Sequence, residues 1–222
     1  MKAMSLARAT IAMGEAEIVV AGGMENMSMV PHMLDRMRDG YRLGHAKIID
    51  SMYRDGFLCP LSDMLMGATA ELLATECNIT RTEQDEFALD SQKKAELAWA
   101  NGHFDSQIAP VTVKSRKGDV VVDRDEHMRP QTTLEGLAKL PGVFAEENGT
   151  VTPGNASGIT DGAAVLVLMS ADEAERRDIT PLAEFLDSQT AGTDPKRMGL
   201  GPVPATAQLF ERNGWSFDDF GL

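Results

Sequence analysis

Apolar residues at helical spacing alternate along this chain with short runs typical of buried strands. Met4, Ala7 and Ile11 recur at intervals of three and four, which predicts a helix near the start. Residues 17–23 then form a short apolar run, and residues 163–169 form seven consecutive apolar positions directly after small, turn-forming residues. Both runs are predicted to be strands, and the second is expected to be buried on both faces of a sheet. This order of elements favours an α/β protein.

The segment between these two strands carries helix and hairpin signals. Thr80 and Glu83 are spaced as a capping box and Gly102 stands where a C-terminal cap belongs, which predicts an amphipathic surface helix with Phe87 on its apolar face. Residues 111–122 alternate around a Ser-Arg-Lys-Gly turn and predict a hairpin. We further expect connecting structure over 24–60, helices near 67–77, 133–140, 171–177 and 204–214, and a strand at 182–190.

Length and charge narrow the classes of function. With 222 residues, 43% of them hydrophobic, the chain can form one large domain or parts of two. No apolar run approaches the roughly 20 residues that span a bilayer, and no signal-type segment opens the chain, so we expect a cytoplasmic protein with no membrane partner. The net charge of -13 repels phosphate backbones and disfavours nucleic acid as a partner. Small molecules and other subunits are the expected partners.

Residue types that bind metals or act as nucleophiles are scattered. Cys59 and Cys77 lack paired spacing, and neither has a basic or helix-N-terminal neighbourhood that would lower a thiol pKa, so both are expected to be structural thiols. The histidines do not form a convergent pattern either, so no metal site is expected. They stand at His32, His45, His103 and His127.

A basic cluster is the exception in this acidic chain. It lies along the predicted hairpin and its exit, and it is either a solvated face or a local clamp for a phosphate-bearing ligand. Small residues at Ala156, Ser157 and Gly158 would let a ligand approach the backbone closely, and the Ser157 hydroxyl can bond it. The basic residues are Lys114, Arg116, Lys117, Arg124 and Arg129.

Long segments of the chain closely resemble thiolases, the acetyl-CoA acetyltransferases and 3-ketoacyl-CoA thiolases. The resemblance covers essentially the whole chain, and its motifs occur in the family's order. It implies a layered, thiolase-like α/β fold, incomplete here, with the end of an N-terminal half at 1–28, an inserted loop domain at 29–150 that binds coenzyme A, a return to the N-terminal half at 151–177 and the start of a C-terminal half at 178–222. The clearest motifs are "EIVVAGGMENMSMVPHML", "RPQTTLEGLAKL", "GTVTPGNASGITDGAAVLVLMS" and "MGLGPVPATAQLFERNGW".

The family's reaction transfers an acyl group between coenzyme A and a second acyl-CoA, by Claisen condensation or thiolysis through an acyl-cysteine intermediate. The resemblance places the nucleophile in a Cys-x-Ser-Gly element just before Met1, and the activating histidine and second cysteine beyond Leu222. No family catalytic side chain is therefore expected in this chain. Coenzyme A is expected as substrate, with no separate cofactor, and the complete protein is expected to be a homodimer or homotetramer.

What carries over by resemblance is the substrate-binding surface. Arg129 matches the family arginine near the adenine of coenzyme A, and Phe144 matches an aromatic residue of the same pocket. Ala156 and Ser157 match the pair that lines the pantetheine path, and Met66 matches the methionine beside the acyl and thiol end.

The chain departs from the biosynthetic members of the family at two positions. Leu65 stands where they have histidine, and Gly136 where they have a serine near the adenine. These differences leave acyl chain length and the direction of the reaction open.

Two hypotheses follow from the resemblance. In the first, the chain is part of a complete acyl-CoA acyltransferase. In the second, it is a stand-alone, inactive thiolase-like product that binds coenzyme A or a partner subunit. An unrelated acidic α/β binding protein is disfavoured by the order of the motifs.

Overall fold

The computed structural model describes residues 1–145 and 147–221. The chain divides into two compact units, the first made of Met1–Asp63 with Ile159–Leu222 and the second of Met64–Gly158. The domain boundaries that the family resemblance implies, after residues 28, 150 and 177, stay predictions.

The helices and strands follow the order that the hydrophobic pattern indicates, with several short strands added. The α-helices are α1 Lys2–Ala12, α2 Met66–Glu76, α3 Arg81–Ala100, α4 Leu134–Ala138, α5 Ala171–Arg176 and α6 Pro202–Asn213. The strands are β1 Ile18–Glu25, β2 His32–Leu34, β3 Ile48–Asp50, β4 Leu58–Cys59, β5 Met64–Leu65, β6 Val111–Val113, β7 Val120–Val122 and β8 Gly162–Met169.

The first unit is built on an antiparallel pairing of β1 with β8. The register runs from Ile18 opposite Met169 to Glu25 opposite Gly162, so strands far apart in sequence lie side by side. Helix α1 packs against this pair, and Ala21 of β1 is buried. Beyond the last pair, Asp161 accepts hydrogen bonds from the Ser28 amide at 2.9 Å and the Ser28 hydroxyl at 2.5 Å. The start and the end of the intervening segment are thereby held together.

The prediction that residues 163–169 form a strand is confirmed, but their burial on both faces is wrong. Val165 is 65% exposed and Val167 is 60% exposed, on the face that they share with Val20. The reason is that, among the described residues, β8 has only β1 as a neighbouring strand and this face has no packed layer. The apolar run at 163–169 therefore predicted the strand correctly but its burial wrongly.

A strand at 182–190 was also expected, and that prediction is wrong: within the described part of the chain these residues form no strand. Side chains of α6 hold the segment instead. Arg212 donates to the Asp187 carboxylate at 2.9 Å, to the Gln189 side chain at 2.8 Å and to the Ser188 carbonyl at 2.9 Å. Hydrogen bonds led by the Asn213 amide hold the pKa of Asp187 below its ordinary value. The same helix ends as predicted at Gly214, which adopts a left-handed conformation.

In the second unit, the capping box at the start of α3 is confirmed. The Glu83 amide donates to the Thr80 hydroxyl at 3.2 Å, and the Thr80 amide donates to the Glu83 carboxylate at 2.7 Å. The expected apolar face is wrong, because Phe87 is 79% exposed while Asp85 is 3% exposed. A buried ion pair between Asp85 and Arg81 occupies the contact face.

The structure contains the expected hairpin and a second antiparallel pair that was not expected. The predicted hairpin of β6 and β7 is confirmed, with Val111 opposite Val122. Residues 24–60, expected to be connecting structure, contain a second antiparallel pair, β2 with β3, and a π-helix at Met52–Phe57. Thirteen residues separate β2 from β3, so no short turn marks this pair in the sequence as one marks β6 and β7.

Candidate functional site

All five residues that the family resemblance assigns to substrate binding lie in the second unit. Met66 is the first residue of α2, and Phe144, Arg129, Ala156 and Ser157 lie on three loops. Phe144 is half-buried, Met66 is 42% exposed, and the other three side chains are exposed. Each of the five side chains is therefore at least partly accessible to a ligand.

The structure brings Met66 and Phe144 together through the glycine between them. The Phe144 ring lies against Gly67, so closely that a Cβ atom at this position would overlap it. Thr69, 2% exposed, donates its hydroxyl to the Met66 carbonyl at 2.7 Å and fixes the first turn of α2. The aromatic ring thus lies against the helix start of which Met66 is the first residue.

Glu71 of α2 ties down the loop that carries Phe144. Its carboxylate accepts from the Thr150 amide at 2.9 Å, from the Thr150 hydroxyl at 2.7 Å and from the Val151 amide at 2.8 Å. Burial alone raises the pKa of Glu71, but these hydrogen bonds and the charge of Arg81 together hold the pKa below its ordinary value. The Val143 amide also donates to the Val151 carbonyl at 3.0 Å, so the loop closes on itself.

A second contact joins the segment of Arg129 to the turn of Ser157. The His127 ring lies over Gly158, where an added Cβ would come within 2.5 Å of it. The Arg129 amide donates to the Gln92 side chain of α3 at 2.7 Å. His127 stands two residues before Arg129, and Gly158 directly follows Ser157. The contact therefore brings the loop of Arg129 and the loop of Ser157 together.

Sequence reasoning missed the polar groups that hold these loops. Asp85 accepts from Arg81 at 2.8 Å and from the Asn155 side chain at 2.9 Å, and Glu71 accepts from the backbone of the loop residues Thr150 and Val151. An arginine and an aspartate four positions apart on a helix are a usable signal for an ion pair, but spacing alone does not say that the pair is buried. Asn155 was noticed only as a turn residue.

Two members of the basic cluster have different partners in the structure. Arg124 lies over the Trp99 ring, 5.1 Å from its centroid, whereas Arg129 is held through its amide by Gln92. At the hairpin turn, the Ser115 hydroxyl donates to the Gly118 carbonyl at 2.7 Å. The clamp for a phosphate-bearing ligand stays a prediction.

The two cysteines are free thiols. The expectation that neither environment lowers a thiol pKa is wrong for Cys59, because the Ser62 side chain and then the amides of Leu61 and Ser62 hold its pKa below the ordinary value. Among the described residues, the buried Ser62 hydroxyl has no hydrogen bond of normal geometry, so its effect on the sulfur is that of a nearby dipole. A turn, rather than a charged neighbour, creates this environment.

Residues 1–145 and 147–221 contain neither a candidate metal site nor a candidate membrane-spanning helix. In these ranges no group of three or more histidine, cysteine, aspartate or glutamate side chains is placed to hold a metal ion. None of the helices found there is both long enough and apolar enough to cross a membrane.

The chain is similar in sequence to known enzymes. Residues 1–172 match the family model described as the N-terminal domain of thiolase. The acetyl-CoA acetyltransferase of Rhizobium meliloti is 50% identical and the cytosolic acetyl-CoA acetyltransferase of Mus musculus is 47% identical, each over the whole chain. The chain spans 56% of the length of either relative.

Solved structures agree with this assignment. The Bacillus anthracis acetyl-CoA acetyltransferase matches with a TM-score of 0.93 at 44% identity, and human mitochondrial 3-ketoacyl-CoA thiolase with 0.93 at 40%. Both matches cover 100% of this chain and 56% of the other. The resemblance and the thiolase-like α/β fold are confirmed, and the chain belongs to the thiolase family.

Proposed function

We propose that this chain provides the coenzyme A-binding part of an acyl-CoA acyltransferase. The observation that carries the proposal is the pairing of loops in the second unit. Phe144 against Gly67 joins two predicted binding segments, and His127 over Gly158 joins the other two. Similarity to acetyl-CoA acetyltransferases over the whole chain supports coenzyme A as the ligand.

The chemistry of the side chains fits the successive parts of coenzyme A. The exposed guanidinium of Arg129 can stack on adenine and attract phosphate oxygens. Ala156 is small enough for the pantetheine arm to pass close to the backbone, and the Ser157 hydroxyl can bond its amides. The thioether of Met66 is a soft, adaptable surface for the acyl and thiol end.

The covalent step belongs to groups that the family resemblance places outside this chain. An acyl-cysteine forms when a cysteine thiolate attacks the thioester carbonyl and coenzyme A leaves as the thiol, and the second acyl acceptor then takes the acyl group. The complete protein would perform this reaction in the condensing or the thiolytic direction with coenzyme A as substrate and no separate cofactor. We place it in the cytoplasm, as a homodimer or homotetramer.

Three measurements test the proposal: the upstream DNA sequence, the cleavage of acetoacetyl-CoA and the binding of coenzyme A. The DNA upstream of the Met1 codon is expected to encode an in-frame Cys-x-Ser-Gly element, and the polypeptide of the complete reading frame is expected to cleave acetoacetyl-CoA. The 222-residue chain alone is expected to bind coenzyme A in calorimetry without turning over acetoacetyl-CoA. Turnover by that chain that is lost in Arg129→Ala would contradict the assignment of catalysis to other residues.

The inactive, stand-alone product remains the second candidate. A stop codon immediately upstream of Met1, together with coenzyme A binding by the 222-residue chain, would favour it. Absence of coenzyme A binding by both polypeptides would refute coenzyme A as the ligand and leave only a product that binds a partner subunit.

A further inference from the structure

A buried carboxylate of the second unit is hydrogen-bonded to the turn that carries Ala156 and Ser157, the residues predicted to line the pantetheine path. The Asp85 side chain on α3 is 4% exposed. One of its oxygens accepts from the Arg81 Nε at 2.8 Å, and the other accepts from the Asn155 Nδ2 at 2.9 Å. A buried carboxylate with two such partners is strongly held, because removing either partner leaves its charge partly unsatisfied.

The Asn155 side chain is saturated with hydrogen bonds. Its Nδ2 also donates to the Thr150 carbonyl at 2.9 Å, and its Oδ1 accepts from the Thr152 amide at 2.7 Å. An ionised Asp85 accepts hydrogen bonds only, so it fixes which end of the Asn155 carboxamide faces α3. The other end is therefore aimed at the Thr152 amide.

Thr152 connects Asn155 to Ala156, one of the two residues predicted to line the pantetheine path. It is fully buried, and its carbonyl accepts from the Ala156 amide at 3.0 Å. Its hydroxyl accepts from the Gly154 amide at 3.2 Å. A chain of contacts thus leads from Asp85 through Asn155 and Thr152 to Ala156, the residue beside Ser157.

The partner of Asp85 secures the opposite side of the same turn. Arg81 donates to the carbonyls of Leu137 at 2.5 Å and Leu140 at 3.0 Å. The side chains of these two leucines lie so close to Gly154 that an added Cβ would come within 2.5 Å and 2.6 Å of them. The ion pair therefore holds both the turn and the residues against which it packs.

We propose that Asp85 is a positioning residue for coenzyme A, which it orients through Asn155 by fixing the turn that presents Ala156 and Ser157. The inference rests on the proposed coenzyme A site. Asp85 touches no ligand in this assignment, and its effect on binding is entirely through the turn.

The test uses the complete polypeptide and coenzyme A itself. Asp85→Asn keeps the shape of the side chain and an acceptor for Arg81, but it presents an amide to the Asn155 amide and breaks their hydrogen bond. We expect the dissociation constant for coenzyme A to rise about tenfold, or ~1.4 kcal/mol. Asn155→Asp sets two carboxylates against each other and is expected to weaken binding further. The double variant Asp85→Asn/Asn155→Asp restores the bond between positions 85 and 155 and is expected to bind better than Asn155→Asp alone.

Glu173→Gln is the matched control. Glu173 is also a buried carboxylate, 4% exposed, held by two arginines, Arg176 and Arg177, but it lies in the first unit. Its neutralisation is expected to change the dissociation constant by less than about twofold. An equal loss of affinity in Glu173→Gln and Asp85→Asn would reduce the effect to general destabilisation and overturn the inference.

Hydrogen exchange separates this inference from the proposed function. Without ligand, Asp85→Asn is expected to speed exchange at the Thr152 and Ala156 amides and leave the amides of α6 unchanged. Unchanged exchange at Thr152 and Ala156 would overturn the positioning role even if coenzyme A binds. Faster exchange at these two amides in Asp85→Asn would support the positioning geometry by itself. If the wild-type protein at the same time failed to bind coenzyme A, the proposed ligand would be refuted.

Discussion

The ring of Phe144 occupies the space that a side chain at Gly67 would need. Gly67 is the second residue of α2, where alanine would ordinarily favour the helix by about 0.5–1 kcal/mol. The contact therefore reverses the usual preference and makes the position specific for glycine. It also means that the loop of residues 141–145 cannot move without changing the start of α2.

Gly67→Ala is accordingly expected to lower the free energy of unfolding of the second unit by about 1–3 kcal/mol, because the new Cβ displaces the ring. Trp99 fluorescence during urea denaturation, in a Trp215→Phe background, reports the unit that contains Gly67. Gly136→Ala, in α4 of the same unit, is the control, because an added Cβ there comes no closer than 3.3 Å to the Thr133 hydroxyl oxygen. A loss in Gly67→Ala no larger than in the control would refute the steric explanation.

Arg129→Ala is expected to weaken coenzyme A binding by about fivefold, or ~1 kcal/mol, because stacking and charge are lost together. Arg129→Lys keeps the charge and is expected to recover only part of the affinity. Arg116→Ala, at the turn of the hairpin, is the control and distinguishes the two interpretations of the basic cluster. Equal effects of Arg116→Ala and Arg129→Ala on the calorimetric dissociation constant would favour a diffuse clamp over a specific contact.

The carboxylate of Glu71 predicts a pH dependence of stability. Its folded pKa lies below the ordinary value, so its stabilisation is fully present above about pH 4.3, the unfolded pKa, and is lost as pH falls through the folded pKa. At pH 7, Glu71→Gln is expected to lower the free energy of unfolding by about 1–2 kcal/mol. The difference from wild type should shrink as pH falls from 5 to 3.

The control for this experiment is Glu86→Gln, which removes a charge from an exposed position of α3. Urea denaturation at each pH gives the wild-type minus variant difference for both substitutions. A difference for Glu71→Gln that stays constant from pH 7 to pH 3 would show that its hydrogen bonds to Thr150 and Val151 do not depend on ionisation.

Cys59 is expected to react with iodoacetamide with a pH midpoint below about 8.5, the ordinary value for a thiol, because its turn stabilises the thiolate. A Cys77→Ser background leaves Cys59 as the only thiol to be followed. Ser62→Ala removes the first cause of the lowered pKa and is expected to move the midpoint upward. The same midpoint in both proteins would assign the effect to the amides of Leu61 and Ser62 alone.

The parts of the fold that follow from local chemistry were predictable. The capping box of Thr80 with Glu83 and the left-handed Gly214 are encoded within a few residues, and both were found where expected. The prediction of a strand at 182–190 was wrong because the apolar residues of a segment do not determine whether a neighbouring strand is there to pair with it. Arg212, more than twenty residues away, decides the structure of that segment through side-chain hydrogen bonds.

The candidate site was predictable only as far as the family resemblance reaches. That resemblance supplied Arg129, Met66 and Phe144, and the residue types of Met66 and Phe144 alone fit a core as well as a ligand pocket. The supporting groups Glu71 and Asp85 were missed, because a buried carboxylate is recognised by its three-dimensional partners and not by its spacing. Polar side chains on α2 and α3 are ordinary surface residues until the loops that cover them are known.

The antiparallel pairing of β1 with β8 has a consequence for synthesis on the ribosome. Ser28 and Asp161, which join just beyond the paired strands, are 133 residues apart in the chain. At roughly 5–20 residues per second, β1 leaves the ribosome about 7–27 s before its partner strand exists. During that interval Val20 and the rest of an apolar strand edge have no strand to pair with, which exposes the nascent chain to aggregation. Early chaperone capture of the segment that contains β1 is the expected requirement.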